Sequence, residues 1–221
     1  MGSQVRLHKY LGLGSPTLVP KKKSSGGRAN PILLAPFDKK SDALQVIIET
    51  PKGSRNKYAF DESRGIFLLK RVLPAGMVFP YDFGFIPSTW AEDGDPLDVL
   101  VLGEEALFPG CLVTVRLVGV IQAEQTEHGK TFRNDRLIGA IETPVNRPAI
   151  RTLEDLRTER LDEIEHFFMA YNHLEGRHFR PLGRHGPAMA EELLADGIRQ
   201  FGNAKGSHNV EQHTAEKYHR R

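Results

Sequence analysis

The hydrophobic period of the chain changes near Pro148, and this change constrains the fold more than any other feature of the sequence. Before Pro148, short apolar runs rich in β-branched residues are separated by Gly and Pro, a pattern typical of strands. The predicted strands cover residues 44–49, 66–71, 98–102, 111–121 and 136–141. After Pro148, apolar side chains recur at helical spacing.

The C-terminal part of the chain is predicted to contain two helices. The first carries an apolar stripe from Leu161 to Tyr171, and the second follows Gly186-Pro187 and is expected to end at Gly202. Strands followed by helices indicate an α+β fold, in which a small β-barrel or sheet has helices packed outside it.

The two ends of the chain are basic, whereas the middle is acidic. Residues 1–40 contain eight Lys or Arg and one acid, while residues 41–201 contain 18 basic and 25 acidic side chains. The basic start, rich in Pro, Ser and Gly, predicts a largely flexible extension over 1–41, followed by a domain at 42–201 and a flexible tail at 202–221. Because the domain is acidic, nucleic acid is not the expected partner.

Cysteine content and hydropathy exclude several protein classes. The apolar runs, such as residues 99–102, are far shorter than the roughly 20 residues that cross a bilayer. Cys111 is the only cysteine, so it cannot form a disulfide within the chain, and no N-terminal stretch has the pattern of a secretory signal. We therefore expect a cytoplasmic protein without a membrane segment.

An acidic turn precedes the predicted strand at 98–102, where Asp93, Asp95 and Asp98 surround a Gly and a Pro. Like charges this close repel one another, which favours a bound cation, and carboxylate oxygens select Mg²⁺, Mn²⁺ or Ca²⁺. A solvated turn is the alternative, because turns also prefer Asp, Gly and Pro. An EF-hand is excluded, because Leu97 and Asp98 occupy positions that require an Asp or Asn and a Gly.

Short motifs surround the acidic turn in a fixed order along the chain. They are Glu49-Thr50-Pro51, Lys57-Tyr58, Arg71, Pro80, Gly84-Phe85-Ile86, Pro109-Gly110, Val118-Gly119-Val120, Arg136-Leu137-Ile138, His166-Phe167-Phe168 and Tyr171. With these motifs, residues 93–98 resemble the Asp-x-Asp-Pro-x-Asp signature of the soluble inorganic pyrophosphatases of the Mg²⁺-dependent, five-stranded-barrel type. The resemblance covers roughly residues 42–201.

The resemblance implies a fold, an activity and a set of site residues. The fold is a small five-stranded, OB-like barrel with C-terminal helices outside, and the activity is that of an inorganic diphosphatase, a hydrolase that uses Mg²⁺ or Mn²⁺ and commonly forms a homo-oligomer. The implied metal ligands are Glu49, Asp93, Asp98 and Asn134. The implied catalytic groups are Asp95, Tyr171 and Arg71. The implied substrate-binding groups are Lys57, Arg71, Arg136 and Tyr171.

Several positions depart from the family's pattern, and these departures concentrate in the site. Ala59 replaces a glutamate, Phe79 and Phe83 replace two tyrosines, and Asn172 replaces a lysine. The family's Asp-x-Lys reads Asn134-Asp135-Arg136, and residues i and i+2 share a strand face, so Asn134 and Arg136 are expected to point into the site and Asp135 away from it. A direct count along the chain places Gln125 at the position of another metal-binding aspartate of the family. Glu124 or Glu127 could reach the site instead if the longer hairpin bends back.

The departures leave two alternatives to pyrophosphate hydrolysis open. The first is a phosphohydrolase that acts on a different phosphate ester or anhydride, for which Phe79 and Phe83 would form a more apolar wall. The second is a non-catalytic binding or scaffold protein. The intact acidic turn argues against the second alternative.

Overall fold

The computed structural model describes residues 30–142 and 149–218. Its strands are β1 (Leu44–Thr50), β2 (Asn56–Asp61), β3 (Ile66–Val72), β4 (Asp82–Phe85), β5 (Asp98–Leu102), β6 (Leu112–Glu127), β7 (Lys130–Arg133), β8 (Arg136–Ile141) and β9 (His178–His185). Its helices are α1 (Thr158–Leu174) and α2 (Pro187–Tyr218). Within the described residues, no helix is both long and apolar enough to cross a membrane.

Five of the strands close into a ring in the order β1-β4-β5-β8-β6, with β6 pairing back to β1. Every neighbouring pair is antiparallel except β5 and β8, which run parallel. The far half of β6 leaves the ring and pairs with β7 and β9, while β2 and β3 form a separate hairpin. The predicted α+β fold with a five-stranded barrel is confirmed.

Strand β5 shows how the core is organised, because both of its faces are buried. Val99 and Val101 belong to an apolar cluster that includes Leu194 of α2. Leu100, on the opposite face, belongs to a cluster that includes Phe168 of α1. Since alternate side chains of a strand point to opposite faces, each helix packs against a different apolar cluster. Asp98 begins this strand, so the barrel and its two helices together fix the position of the acidic turn.

The structure corrects one helix boundary and adds strands that the sequence pattern did not predict. The prediction that α2 ends at Gly202 is wrong, because the helix continues to Tyr218. Gly202 does not adopt the left-handed conformation that ends helices, and a helical Gly costs only about 1 kcal/mol relative to Ala. The unpredicted strands are β2, β4, β7 and β9.

The segment that precedes β1 packs against the barrel. Asn30 caps a short 3₁₀ turn over Pro31–Leu33, and Ile32 is buried in a cluster with Phe85 and Phe201. The backbone N–H of Ser88 donates to the Ile32 carbonyl oxygen over 2.7 Å. The predicted domain bounds at residues 41 and 201 stay predictions, and residues 1–29 and 219–221 lie outside the described residues.

Candidate active site

The acidic turn is held in place by its own backbone. Gly94 adopts a φ of 84°, a conformation that suits Gly and lets the chain reverse direction between Asp93 and Asp95. The backbone N–H of Asp95 donates to Asp93 Oδ1 over 3.1 Å, and the N–H of Ala91 donates to the Asp95 carbonyl oxygen over 2.8 Å. The turn thereby delivers three carboxylates to one wall of a cavity of about 680 Å³.

This cavity collects all but one of the predicted site residues. It is lined by Glu49, Lys57, Asp93, Asp95, Asp98, Asn134, Arg136 and Tyr171. The exception is Arg71, which does not line the cavity and pairs with Glu175, its Nε 2.9 Å from Oε1. Arg71 therefore lies behind the wall that Tyr171 forms, and its predicted role at the substrate stays a prediction.

The carboxylates raise one another's pKa values because they share a partly desolvated site. Burial, and then the charges of Asp98 and Asp95, raise the pKa of Asp93 to about 6. Burial and the charge of Asp98 also raise the pKa of Asp95. Among the described residues, neither Asp93 nor Asp95 has a cation within salt-bridge distance. This end of the cavity therefore favours the binding of a positive ion.

Glu49 and Lys57 face each other at the end of β1 and the start of β2. Glu49 Oε1 accepts a hydrogen bond from the Phe60 N–H over 2.8 Å, and Lys57 Nζ lies 3.7 Å from Glu49 Oε2. Burial raises the pKa of Glu49, and the charge of Lys57 opposes this shift. Lys57 Nζ also lies 4.2 Å from the centroid of the Phe83 ring, an additional cation–π contact. These contacts fix the ammonium group at the cavity wall.

Arg136 lies beside Asp98, because β5 and β8 are parallel and begin at the same edge of the sheet. The register pairs Val99 with Leu137, which places Asp98 beside Arg136. Arg136 Nη1 donates to Asp98 Oδ2 and to Asn134 Oδ1. Asn134 Nδ2 in turn donates to Gln125 Oε1 over 2.9 Å. We call Asp98, Gln125, Asn134 and Arg136 the Arg136 cluster.

The strand geometry separates Asp135 from this cluster, as the sequence predicted. Asp135 Oδ1 accepts hydrogen bonds from the Ala123 N–H over 2.9 Å and from Arg133 Nη2 over 2.8 Å. Asn134 and Arg136, its two neighbours, both line the cavity. Asp135 therefore stabilises the junction of β6 and β8 and does not replace the missing site aspartate.

A chain of polar groups forms the wall near the end of α1. The Tyr171 hydroxyl donates to Glu175 Oε1 over 3.0 Å, and burial together with the charge of Glu175 raises the pKa of the Tyr171 phenol. Arg177 contacts Glu175 and Glu127 and lines the cavity. Arg177 and Lys70 are cavity-lining cations that the sequence analysis missed. The sequence signal for Arg177 was its place close to Tyr171, just after the first predicted helix.

The departures from the family pattern lie on the cavity wall. They include Ala59, Phe79, Phe83, Gln125 and Asn172, all of which line the cavity. Asn172 is buried and its Nδ2 donates to the Phe168 carbonyl oxygen over 2.9 Å, so this side chain is engaged by the protein itself. Glu127 reaches the cavity, whereas Glu124 pairs with Arg180 over 2.5 Å. The hairpin therefore presents both Gln125 and Glu127 to the site.

The two ends of the cavity differ in how well they fit a divalent metal ion. Hard carboxylate oxygens of Asp93, Asp95 and Asp98 are the donors that Mg²⁺ and Mn²⁺ prefer. Within the described residues, no three His, Cys, Asp or Glu side chains converge closely enough to form a ready-made metal site. The acidic turn fits a metal by the chemistry of its carboxylates. In the Arg136 cluster the carboxylate of Asp98 is paired with Arg136, and Asn134 and Gln125 offer only neutral amide oxygens, so a further metal ion does not fit there.

An α+β barrel whose cavity is lined by a cluster of carboxylates and by the cations Lys57, Arg136 and Arg177 suits phosphate groups held through metal ions. Comparison with known proteins identifies the family. The family model for pyrophosphatase, described as inorganic pyrophosphatase, matches residues 46–202. The chain belongs to the inorganic pyrophosphatase family.

Individual relatives match most of the chain. The inorganic pyrophosphatase of Geobacillus stearothermophilus is 38% identical over 165 residues, which are 73% of this chain and 96% of that protein. That of Methanosarcina acetivorans is 40% identical over 156 residues, covering 71% of this chain and 90% of that protein. The crystal structure of inorganic pyrophosphatase from Thermus thermophilus has a TM-score of 0.72 at 36% identity and covers 79% of this chain and 99% of that chain.

Proposed function

We infer that this chain is an inorganic diphosphatase, which hydrolyses pyrophosphate to two phosphates. The observation that carries this conclusion is the lining of the cavity, in which the carboxylates of the acidic turn share one space with Lys57 and Arg136. Pyrophosphate is a compact polyanion, so its hydrolysis requires cations around the phosphate oxygens and a base for the attacking water. Membership of the inorganic pyrophosphatase family supports the same activity.

The proposed roles follow from the positions of the side chains. Asp93, Asp98 and Glu49 would hold Mg²⁺ or Mn²⁺, and such an ion would acidify a water molecule and neutralise phosphate oxygens. Asp95 would accept the proton of the attacking water. The water oxygen bonds to one phosphorus atom, and the bridging oxygen leaves with the other phosphate group. Lys57 would bind the phosphate oxygens electrostatically.

The remaining assignments are proposals of the same kind. Tyr171 would donate its hydroxyl to a phosphate oxygen after releasing Glu175, to which it donates in the structure. Asn134 as a metal ligand is at variance with its hydrogen bond from Arg136. We also propose a cytoplasmic location, because a single cysteine fits a reducing compartment, and a homo-oligomeric state, by analogy with the family.

Phosphate release from pyrophosphate by the full chain, with Mg²⁺ or Mn²⁺, tests this function. The Asp95→Asn variant should lose about 100-fold or more in kcat, because a general base contributes on the order of 10²–10⁴-fold. Glu105→Gln is the matched control, since Glu105 is an exposed acid outside the cavity, and it should retain full activity. Absence of phosphate release from the wild type under both metals would contradict the proposal.

A different phosphate ester or anhydride is the second candidate substrate. The apolar wall formed by Phe79 and Phe83, whose ring centroids are 5.8 Å apart, favours a substrate with an apolar group. A panel of nucleotides and sugar phosphates, assayed beside pyrophosphate, distinguishes the two candidates. A higher kcat/KM on any panel member than on pyrophosphate would favour the second candidate.

A further inference from the structure

The two ends of the cavity differ in charge balance. Asp93 and Asp95 carry negative charge with no cation in salt-bridge distance among the described residues, whereas Asp98 is paired with Arg136. Counting formal charges, the Arg136 cluster is neutral, because Asp98 carries one negative charge, Arg136 one positive charge, and Gln125 and Asn134 none. A bound cation would therefore balance the charges of Asp93 and Asp95, whereas Arg136 already balances the charge of Asp98.

The guanidinium of Arg136 is fixed in its position. Its side chain is 6% exposed, and its Cζ lies 5.0 Å from the Phe168 ring centroid, 5.5 Å from that of Phe179 and 5.9 Å from that of Phe83. Aromatic faces attract a guanidinium, and a buried arginine is not deprotonated. The group is therefore a permanent positive charge enclosed by three rings and anchored to Asp98.

The hydrogen bonds of Arg136 use the oxygen atoms that a metal ion would need. Nη1 donates to Asp98 Oδ2 and to Asn134 Oδ1, and the remaining amide group of Asn134 donates to Gln125. Nε is buried and has no hydrogen-bond partner among the described residues. A buried donor without a partner gains most from an incoming oxygen atom, such as that of a phosphate group.

We propose that the guanidinium of Arg136 takes the place of a divalent metal ion at the end of the cavity formed by the Arg136 cluster. This inference rests on the proposed function, because it states how the same site compensates phosphate charge. The chain then binds divalent ions only through Asp93, Asp95, Glu49 and the second carboxylate oxygen of Asp98, Oδ1, which Arg136 does not engage. The built-in cation cannot dissociate, so charge compensation at this end does not depend on the metal concentration.

The proposal makes the effect of restoring an aspartate depend on residue 136. In Asn134→Asp alone, the fork of Arg136 can bind the new carboxylate together with Asp98, and no metal position opens. In Asn134→Asp with Arg136→Lys, the positive charge is retained, but the compact ammonium group leaves oxygen atoms of both carboxylates free. The second variant has the Asp-x-Lys pattern of the family and should bind one more divalent ion.

Metal-binding stoichiometry tests the proposal without relying on turnover. We would titrate the metal-free full chain with Mn²⁺ and count bound ions per chain from the electron paramagnetic resonance signal of free Mn²⁺. The wild type and Asn134→Asp should bind equal numbers of Mn²⁺, and Asn134→Asp/Arg136→Lys should bind one more. Circular dichroism checks the fold of each variant, and Asn134→Asp/Arg136→Met, which should also gain one ion, replaces the lysine variant if that variant does not fold.

The possible outcomes separate this inference from the proposed function. A gain of one ion in Asn134→Asp alone, or no gain in the folded double variant, overturns the inference even if the wild type hydrolyses pyrophosphate. Absence of phosphate release from the wild type overturns the proposed function, whereas the ion counts still decide whether Arg136 replaces a metal ion.

Discussion

Asp98 is expected to contribute to stability through Arg136, independently of any metal. Removing one partner of a fully buried ion pair costs about 3–5 kcal/mol, because the other charge stays buried without compensation. The side chain of Arg136 is 6% exposed and that of Asp98 is 26% exposed, so water partly screens the pair. We therefore expect Asp98→Asn to lower the free energy of unfolding by about 2–3 kcal/mol. For a domain of this size, the melting temperature should fall by about 4–12 °C.

Urea denaturation in the presence of a chelator measures this effect on the metal-free chain. Asp95→Asn is the matched control, because Asp95 lies in the same turn and has no salt-bridge partner among the described residues. Its loss of charge should leave stability unchanged or raise it, since burial and the charge of Asp98 raise the pKa of Asp95. Equal stability of Asp98→Asn and the wild type, or equal losses in both variants, would refute the reasoning.

Three further predictions concern pH, backbone packing and the N-terminal segment. Because the pKa of Asp93 is raised from 3.8 to about 6, the metal-free wild type should lose stability as pH rises through this range. The Asp93→Asn variant should lose less stability over the same pH range. A constant difference in urea midpoint between the variant and the wild type across this range would contradict the shift. Gly84→Ala should give no folded protein by circular dichroism, because its Cβ would lie 2.0 Å from the Ile47 carbonyl oxygen; a native spectrum would disprove this. Deleting residues 1–41 should lower the melting temperature, because Ile32 is buried; an unchanged melting temperature would favour the predicted bound at residue 41.

The sequence predicts those strands whose apolar pattern is strong and misses those that depend on their partners. Residues 98–102 and 136–141 were predicted with the bounds of β5 and β8. Strand β9 contains charged residues, a Pro and a Gly and shows no clear alternation, so nothing local indicates a strand. It forms because its backbone pairs with the extended half of β6. The tertiary pairing overrides a weak local preference.

The site shows the same division between local signals and contacts formed by the fold. The acidic turn is contiguous in sequence, and its place on the cavity wall could be predicted from its signature. The pairing of Asp98 with Arg136 joins positions 38 residues apart and depends on the parallel register of β5 and β8. The ion pair between Arg71 and Glu175 likewise depends on where α1 ends. A sequence pattern shows which residue types are present but not which partner each side chain selects.

The parallel pairing of β5 with β8 has a consequence for folding during synthesis. Strand β1 ends at Thr50, but the ring closes only when β8, which ends at Ile141, inserts between β5 and β6. Contacts between segments this distant in sequence form slowly, because chain entropy is lost before the contacts compensate for it. Until then, one edge of β5 and one edge of β6 have unpaired backbone groups, which promote association between chains. These two edges of the nascent barrel are therefore covered only after residues 136–141 have been synthesised.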